Sequence, residues 1–292
     1  MPQLSYVLVQ LALFVATSFA TARVGFINDG AVCYQNAVLQ NVIRSRHIRE
    51  WSAEASRKGM TGLVNDALLG LVRRGEQPQT TQQLHSLALR QAMSQAEGTS
   101  EWVNGQAQDS AQFLVALVAD VGSEFQDHFT IKISGNGTCT ACTAVTPIPT
   151  DIATALVLPI PKTGQTHQLQ DLIAAAYTHG TYPRRCETCD QVSESLVDIA
   201  FESLPKVLVV HINRLTFDQG VINDEVSLPD ELKLTSSEQG EVTYALMGSV
   251  EHTGGHFRAH VKENDEWTTY DDSSVRPGAK DSRPYLAFYE MQ

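Results

Sequence analysis

The chain has 292 residues, 42% of them hydrophobic and 18% charged, so it can form one large domain or two small ones and should be globular rather than disordered. Its formal net charge of −12 argues against a nucleic-acid partner, because proteins that bind phosphate backbones are more often basic. An acidic surface suits a basic partner, or simply keeps the protein soluble.

The first predicted element is the apolar run YVLVQLALFVA, which begins at Tyr6 and is followed by small residues at Ala20 to Ala22. This pattern is typical of a signal peptide that ends near residue 22. No Lys or Arg precedes the run, so a hydrophobic segment packed on the domain is an equal alternative. The run is too short to cross a bilayer, and we therefore expect no integral membrane span.

Apolar residues recur at helical spacing from about residue 25 to residue 126. The segment CYQNAVLQNVI places Tyr34, Val38 and Val42 on one face, and QDSAQFLVALVADV repeats this spacing further along. After Phe129 the sequence pattern changes to short strand-like runs such as KVLVVHI and HFRAHV, and LQDLIAAAY is one intervening predicted helix. Helices followed by a mostly antiparallel sheet predict an α+β fold.

Four of the five cysteines form two C-x-x-C pairs. The pairs are Cys139 with Cys142, and Cys186 with Cys189. Four thiolates satisfy tetrahedral zinc and leave no open position, so we predict a structural zinc site and no catalytic cofactor. Two disulfides are the alternative, and they are favoured only if the chain is exported.

The fifth cysteine, Cys33, stands at the start of a predicted helix, where unpaired N–H groups and the helix dipole favour a thiolate. A cysteine nucleophile needs a general base, usually a histidine that a carboxylate or amide orients. His256 opens one predicted strand and Asp271 closes the next, so a hairpin of these strands would bring the two side chains together. A small buried core residue is the alternative for Cys33.

Asn28 lies five residues before Cys33 in the same turn-like segment. A preplaced amide N–H₂ can stabilise the negative charge that develops on a substrate carbonyl oxygen. Capping of the helix is the plainer role for this side chain.

The segment GFINDGAVCYQN resembles the cysteine box of the ubiquitin-specific proteases. The segments YALMGSVEHTGGHFRAHV, WTTYDDSSV and YLAFYE are similar to the histidine box and C-terminal strand of that family. Two further segments, QDSAQFL and LPKVLVVHINRL, resemble its remaining motifs. The similarity runs in order from Gly25 to about Glu290, and the paired cysteines fall where the family has its zinc-bearing fingers.

The resemblance implies a papain-like fold in a single catalytic domain over residues 23–292, with residues 1–22 as the separate N-terminal segment. It places a helical thumb at about 25–126, zinc-ribbon-like fingers at about 127–200 and an antiparallel β palm at about 201–292.

The resemblance also implies roles for individual residues. Cys33 matches the nucleophile, His256 the general base and Asp271 the residue that orients it. Asn28 matches the oxyanion-hole side chain, and Asp272 the adjacent acidic position that supports the site.

The implied activity is hydrolysis of the isopeptide bond after the C-terminal Gly of ubiquitin, by a monomer whose partners are ubiquitin or ubiquitinated proteins. Asp109 falls where the family contacts the basic ubiquitin tail, and Gln112 replaces the usual Glu there. This change and the short HTGGHF segment leave two alternatives open: a ubiquitin-binding pseudoenzyme, and a protease for a ubiquitin-like modifier. Ubiquitin chemistry favours the cytoplasm or nucleus, whereas a cleaved signal peptide would mean secretion.

Overall fold

A computed structural model describes residues 23–77, 82–216 and 220–292 of the chain. The N-terminal segment of residues 1–22, for which the sequence leaves two interpretations, lies outside these ranges. Within them, no helix is both long enough and apolar enough to cross a membrane.

Six helices come before any strand, and a seventh lies among the strands, in the part of the chain that the structure describes. The helices are α1 (Cys33–Val42), α2 (Arg46–Lys58), α3 (Leu63–Glu76), α4 (Leu87–Glu97), α5 (Ser110–Val121), α6 (Ser123–Gln126) and α7 (Leu169–Tyr177). Side chains cap the N-terminal ends of α2 and α5. For α2, the Ser45 side chain accepts a bond from the backbone N–H of Ile48, and Gly59 closes the helix in the left-handed conformation.

The first eight strands run from residue 131 to residue 216. They are β1 (Ile131–Cys139), β2 (Val145–Ala153), β3 (Leu156–Pro159), β4 (His167–Gln168), β5 (His179–Arg185), β6 (Val192–Ser203), β7 (Val207–Asn213) and β8 (Leu215–Thr216). The remaining strands are β9 (Gly220–Val221), β10 (Val226–Ser227), β11 (Glu231–Ser236), β12 (Gly240–Thr253), β13 (His256–Glu263), β14 (Glu266–Asp271), β15 (Ser274–Pro277) and β16 (Pro284–Met291).

Most of these strands join one sheet in the order β15-β14-β13-β12-β11-β6-β1-β2, with β16 bridging β12 and β7. Nearly all neighbours are antiparallel, whereas β3 pairs with β7 in parallel and β11 meets β6 through a single parallel pair. The helices-then-sheet prediction of an α+β fold is therefore confirmed. Consecutive β12, β13 and β14 form a meander, which brings the histidine and aspartate segments side by side.

Apolar side chains alternate between the two faces of this sheet, as strand geometry requires. On β7, Val207 and Val209 enter the core shared with α1 to α6, whereas Leu208 and Val210 enter a second core against α7. The apolar residues of α1 belong to the first core, and all ten residues of this helix are buried. A helix enclosed on every side holds its first residue at a fixed depth against the sheet.

Two polar side chains of α1 donate hydrogen bonds within this core, and these bonds fix the rotation of the helix. Gln40 donates to the carbonyl of Val24 at 3.1 Å, and Asn41 donates to the carbonyl of Ser249 on β12 at 3.2 Å. Gly248 allows the close approach, because a Cβ there would lie 2.3 Å from the Asn41 Oδ1. Helix α1 is thereby attached to the strand that precedes the His256 strand.

Candidate active site

The turn before α1 packs directly against the residue that follows β14. The backbone N–H of Phe26 donates to the carbonyl of Asp272 at 2.9 Å. A Cβ on Gly25 would lie 2.4 Å from the same oxygen, so only glycine fits this approach. Ala31, two residues before Cys33, has φ of +48°, a conformation that non-glycine residues seldom adopt. Such strained backbone clusters at functional sites.

Cys33 is the first residue of α1 and is 6% exposed. Its sulfur accepts a hydrogen bond from the backbone N–H of Phe257, the residue after His256. Burial raises the pKa of the Cys33 thiol, and the nearby Asp272 charge adds to the increase, against smaller effects of backbone N–H groups. The helix start alone therefore does not make a thiolate here, and a base must take the proton.

His256 and Asp271 meet as the sequence predicts. Strands β13 and β14 form an antiparallel hairpin, and His256 Nε2 lies 2.6 Å from Asp271 Oδ1. Burial opposes ionisation of Asp271, but the bond from His256 and the charge of Arg258 outweigh it and lower the pKa of this carboxyl. Because Nε2 faces the carboxylate, Nδ1 of the imidazole is left for proton transfer.

Asp272 joins the two halves of the site. Its Oδ2 accepts from Asn28 Nδ2 at 2.7 Å, and its Oδ1 accepts from Asn36 Nδ2 at 2.8 Å. Asp272 follows the last residue of β14 and has φ of +50°, a left-handed conformation that ends the strand. One carboxylate thus fixes the turn before α1 and the first part of α1 itself.

Asn28 uses both ends of its amide. Its Oδ1 accepts from the backbone N–H groups of Gly30 at 3.3 Å and Val32 at 3.2 Å, and these bonds hold the turn that precedes α1. Its Nδ2 donates to Asp272, and this amide nitrogen carries a second N–H. The N-cap of α1 is Val32 and no side chain caps the helix, so the capping interpretation of Asn28 is wrong, and its oxyanion role stays a prediction.

Two residues of the site were not singled out from the sequence. Asn36, which binds Asp272, lies three residues after Cys33 on α1. Arg258 Nε lies 2.9 Å from Asp271 Oδ2. Strand alternation was a usable signal for Arg258, because residues two apart on a strand share a face with His256.

Asp109 caps α5 and also reaches the sheet. Its Oδ1 accepts from the backbone N–H of Ala111 at 2.8 Å and of Gln112 at 3.0 Å, and its Oδ2 accepts from the Tyr285 hydroxyl. Gln112 is exposed. Both residues line a cleft of about 680 Å³ between α5 and the sheet, whose other lining residues are mostly apolar. Their contact with a substrate tail stays a prediction.

The two C-x-x-C pairs meet at the ends of neighbouring hairpins. The four sulfur atoms all lie within 4.8 Å of one another, with Cys139 to Cys189 at 4.0 Å and Cys142 to Cys186 at 3.7 Å. Four Zn–S bonds of about 2.3 Å in a tetrahedron place sulfurs roughly 3.8 Å apart, so the cluster is compatible with a structural zinc ion. The Ser193 hydroxyl, 3.1 Å from the Cys139 sulfur, lowers the pKa of that thiol to about 6.

A cysteine at a buried helix start, beside a histidine–aspartate pair on an antiparallel sheet, defines the architecture of a papain-like cysteine protease. The chain belongs to the ubiquitin carboxyl-terminal hydrolase family, whose family model matches residues 24–289. The resemblance to the ubiquitin-specific proteases is thereby confirmed.

Two curated relatives show how far this similarity extends. Ubiquitin carboxyl-terminal hydrolase 26 of Arabidopsis thaliana is 25% identical over 284 residues, which cover 86% of this chain and 26% of that protein. Ubiquitin carboxyl-terminal hydrolase 21 of Homo sapiens is 29% identical over 121 residues, which cover 36% of this chain and 21% of that protein. The matched part is thus at most 26% of the length of these relatives.

Solved structures share the fold. The SAGA DUB module of Ubp8, Sgf11, Sus1 and Sgf73 bound to monoubiquitin matches with a TM-score of 0.77 and 18% identity, over 95% of this chain and 71% of that chain. The same module bound to ubiquitin aldehyde matches with a TM-score of 0.74 and 17% identity. The predicted fold, with helical thumb, antiparallel β palm and zinc-ribbon-like fingers, is confirmed.

Proposed function

We propose that this protein is a cysteine-type deubiquitinase that hydrolyses the isopeptide bond after the C-terminal Gly of ubiquitin. The observation that carries the proposal is the 2.6 Å contact of His256 with Asp271, beside a Cys33 sulfur that accepts the N–H of the next residue, Phe257. Family membership supports the substrate class. We place the activity in a single catalytic domain over residues 23–292.

Cys33 and His256 share the chemical steps. Nδ1 of His256 takes the thiol proton as the Cys33 sulfur attacks the carbonyl carbon of the terminal Gly. The tetrahedral intermediate collapses as the imidazolium gives its proton to the leaving lysine amine. A water molecule then loses a proton to His256 and attacks the thioester, which releases the ubiquitin carboxylate and restores the thiol. Asp271 holds the imidazole in the tautomer that these steps need.

The oxyanion is stabilised beside the same thiol. One N–H of the Asn28 amide donates to Asp272. The other N–H would donate to the negative charge that develops on the substrate carbonyl oxygen. A donor fixed in advance needs no reorganisation during the reaction, which is the basis of its catalytic effect. Asp272 therefore acts by holding Asn28.

The cleft beside α5 is the proposed path of the ubiquitin tail. It is lined by Asp109 and Gln112 at one end and by apolar side chains such as Val115 along its length. A basic, flexible tail gains from the carboxylate of Asp109 and from the net acidic chain. Because Gln112 adds no charge, a ubiquitin-like modifier with a less basic tail is the second candidate substrate, and probes with matched tails would separate the two.

We also propose that Cys139, Cys142, Cys186 and Cys189 hold one structural zinc ion. Zinc would join the ends of two hairpins that have few buried side chains of their own. Four thiolate ligands leave no open coordination position, so the ion would take no part in hydrolysis.

Turnover of ubiquitin carrying a C-terminal fluorophore tests the enzyme proposal. We expect wild-type protein to release the fluorophore, and Cys33→Ala to release none while binding ubiquitin as well as wild type does. Asp265→Asn, at a carboxylate that is 96% exposed, serves as the control for a substitution outside the site. Ubiquitin binding without turnover by the wild-type protein would replace the proposal with the pseudoenzyme.

A further inference from the structure

The Asp271 carboxylate has a partner on each oxygen. Its Oδ1 lies 2.6 Å from His256 Nε2, and its Oδ2 lies 2.9 Å from Arg258 Nε. His256 and Arg258 are two residues apart on β13, and strand alternation places them on one face. The carboxylate that orients the imidazole is therefore itself held by a guanidinium.

Arg258 is held in turn from β12. Glu251 is its direct cross-strand partner, with 3.8 Å between Glu251 Oε2 and Arg258 Nη1. Glu251 is fixed by two further contacts, from His260 Nε2 at 3.2 Å and from the Thr253 hydroxyl at 2.9 Å. The His260 bond outweighs burial and lowers the pKa of Glu251 to about 2, so this carboxylate stays charged. The charges thus alternate across three strands, from Glu251 through Arg258 to Asp271.

We propose that Arg258 is a positioning residue for the reaction, which holds the Asp271 carboxylate against His256 and offsets the charge of that carboxylate at the imidazole. The proposal rests on the deubiquitinase function proposed above. Without Arg258, the full charge of Asp271 would act on His256 alone and would favour the imidazolium. A protonated imidazole cannot take the proton of the Cys33 thiol.

Other charged and titratable groups set the background for this effect. Atoms of Asp271 and Asp272 lie within 4.8 Å of a His256 ring nitrogen, and the Cys33 sulfur accepts from the backbone N–H of Phe257, the residue after His256. The charged and titratable groups at this end of the sheet are Cys33, Glu251, His252, Arg258, His260, Asp271 and Asp272, whereas Lys262 and Glu263 lie at the far end of β13. Arg258 is the one cation among them at neutral pH, apart from any charge on the histidines, within the residues that the structure describes. Its removal therefore changes the field at His256 in one direction.

The pH dependence of kcat/KM for fluorogenic ubiquitin separates this role from a merely structural one. For Arg258→Gln we expect the acid limb to move up by about half to one pH unit, the shift from losing one charge at roughly 6 Å in partly solvated surroundings. Arg258→Lys keeps the charge and should restore the limb. Arg57→Gln, at an exposed arginine of α2, should leave it unchanged. An unmoved limb in Arg258→Gln, or an equal shift in Arg258→Lys, would overturn the proposal.

A titration of the His256 ring by proton NMR gives a readout without turnover. It is done in the Cys33→Ala background, with the signal assigned by its loss in His256→Gln. The expected result is a higher His256 pKa in Arg258→Gln than in the parent. A raised pKa in this background, together with no turnover of ubiquitin by the protein that keeps Cys33, would contradict only the deubiquitinase proposal. Turnover by the protein that keeps Cys33, together with a His256 pKa that Arg258→Gln leaves unchanged, would contradict only the role of Arg258.

Discussion

Asp272→Asn tests whether one carboxylate holds the oxyanion donor in place. In the structure Asp272 accepts from Asn28 Nδ2 at 2.7 Å and from Asn36 Nδ2 at 2.8 Å. An asparagine can accept only one of these bonds, because its own Nδ2 is a donor. Asn36 is 2% exposed, whereas Asn28 is exposed and can bond to water instead. The new amide should therefore keep its hydrogen bond with Asn36 and lose the one with Asn28.

The magnitude follows from these exposures. A lost hydrogen bond to a charged group costs about 1.5–3 kcal/mol, and solvent that replaces the partner of Asn28 reduces this to roughly 1–2 kcal/mol of unfolding free energy. Removal of an oxyanion donor lowers kcat by roughly 10²–10³, and release of the donor from its anchor should lower it by roughly 10–100. KM should change little, because the bond strengthens in the transition state.

A double-mutant cycle gives the decisive assay. Steady-state kinetics on fluorogenic ubiquitin would compare wild type, Asp272→Asn, Asn28→Ala and the double variant. If Asp272 acts through Asn28, the second substitution adds almost nothing to the loss in Asn28→Ala. Independent, multiplicative losses in kcat would refute the reasoning. Asp265→Asn removes a carboxylate that is 96% exposed, and should match wild type in both stability and rate.

Three further predictions concern stability, affinity and metal. Burial and the nearby Glu97 raise the pKa of Asp120 to about 6, so the fold binds this proton more tightly than the unfolded chain and loses stability as pH rises from about 4 to 6. Asp120→Asn should therefore add about 1 kcal/mol at pH 7.5, after discount for solvent screening, and nothing below pH 4; urea unfolding that shows equal gains at both values would contradict this. Gln112→Glu should lower KM for ubiquitin roughly two- to fivefold at low salt, and a KM that ignores ionic strength would argue against a basic tail in the cleft. Metal analysis should find one zinc per chain, and both a strong chelator and Cys142→Ser should lower Tm; a metal-free protein of equal Tm would rule the zinc out.

The sequence predicts the candidate site better than its immediate surroundings. His256 starts one strand-like run and Asp271 ends the next. In an antiparallel hairpin the start of the first strand lies beside the end of the second, so the two side chains come together. The order of helices before strands was predictable, because the spacing of apolar residues changes from a helical to a strand period after Phe129. The two thiols within each C-x-x-C turn lie together because of their spacing, whereas the meeting of the two turns depends on the pairing of β1 with β6.

Other features depend on contacts that no local pattern encodes. The raised pKa of the Cys33 thiol comes from burial of the whole of α1, whereas the sequence indicates only a helix start that favours the thiolate. The bonds of Asp272 to Asn28 and Asn36 join residues more than 230 positions apart, so they depend on the packing of α1 against the sheet. Arg258 was visible as a strand residue on the His256 face, but its partner oxygen was not.

Reaction with a ubiquitin probe that carries a C-terminal electrophile tests the central claim most directly. The electrophile sits where the scissile carbonyl would lie, so it reports the nucleophile and the path of the tail together. We predict a single adduct on Cys33, mapped by mass spectrometry of the digested protein, and no adduct in Cys33→Ala or after unfolding. Absence of an adduct on folded wild-type protein, under conditions that label a control deubiquitinase, or an adduct on any of the other four cysteines instead, would contradict the account.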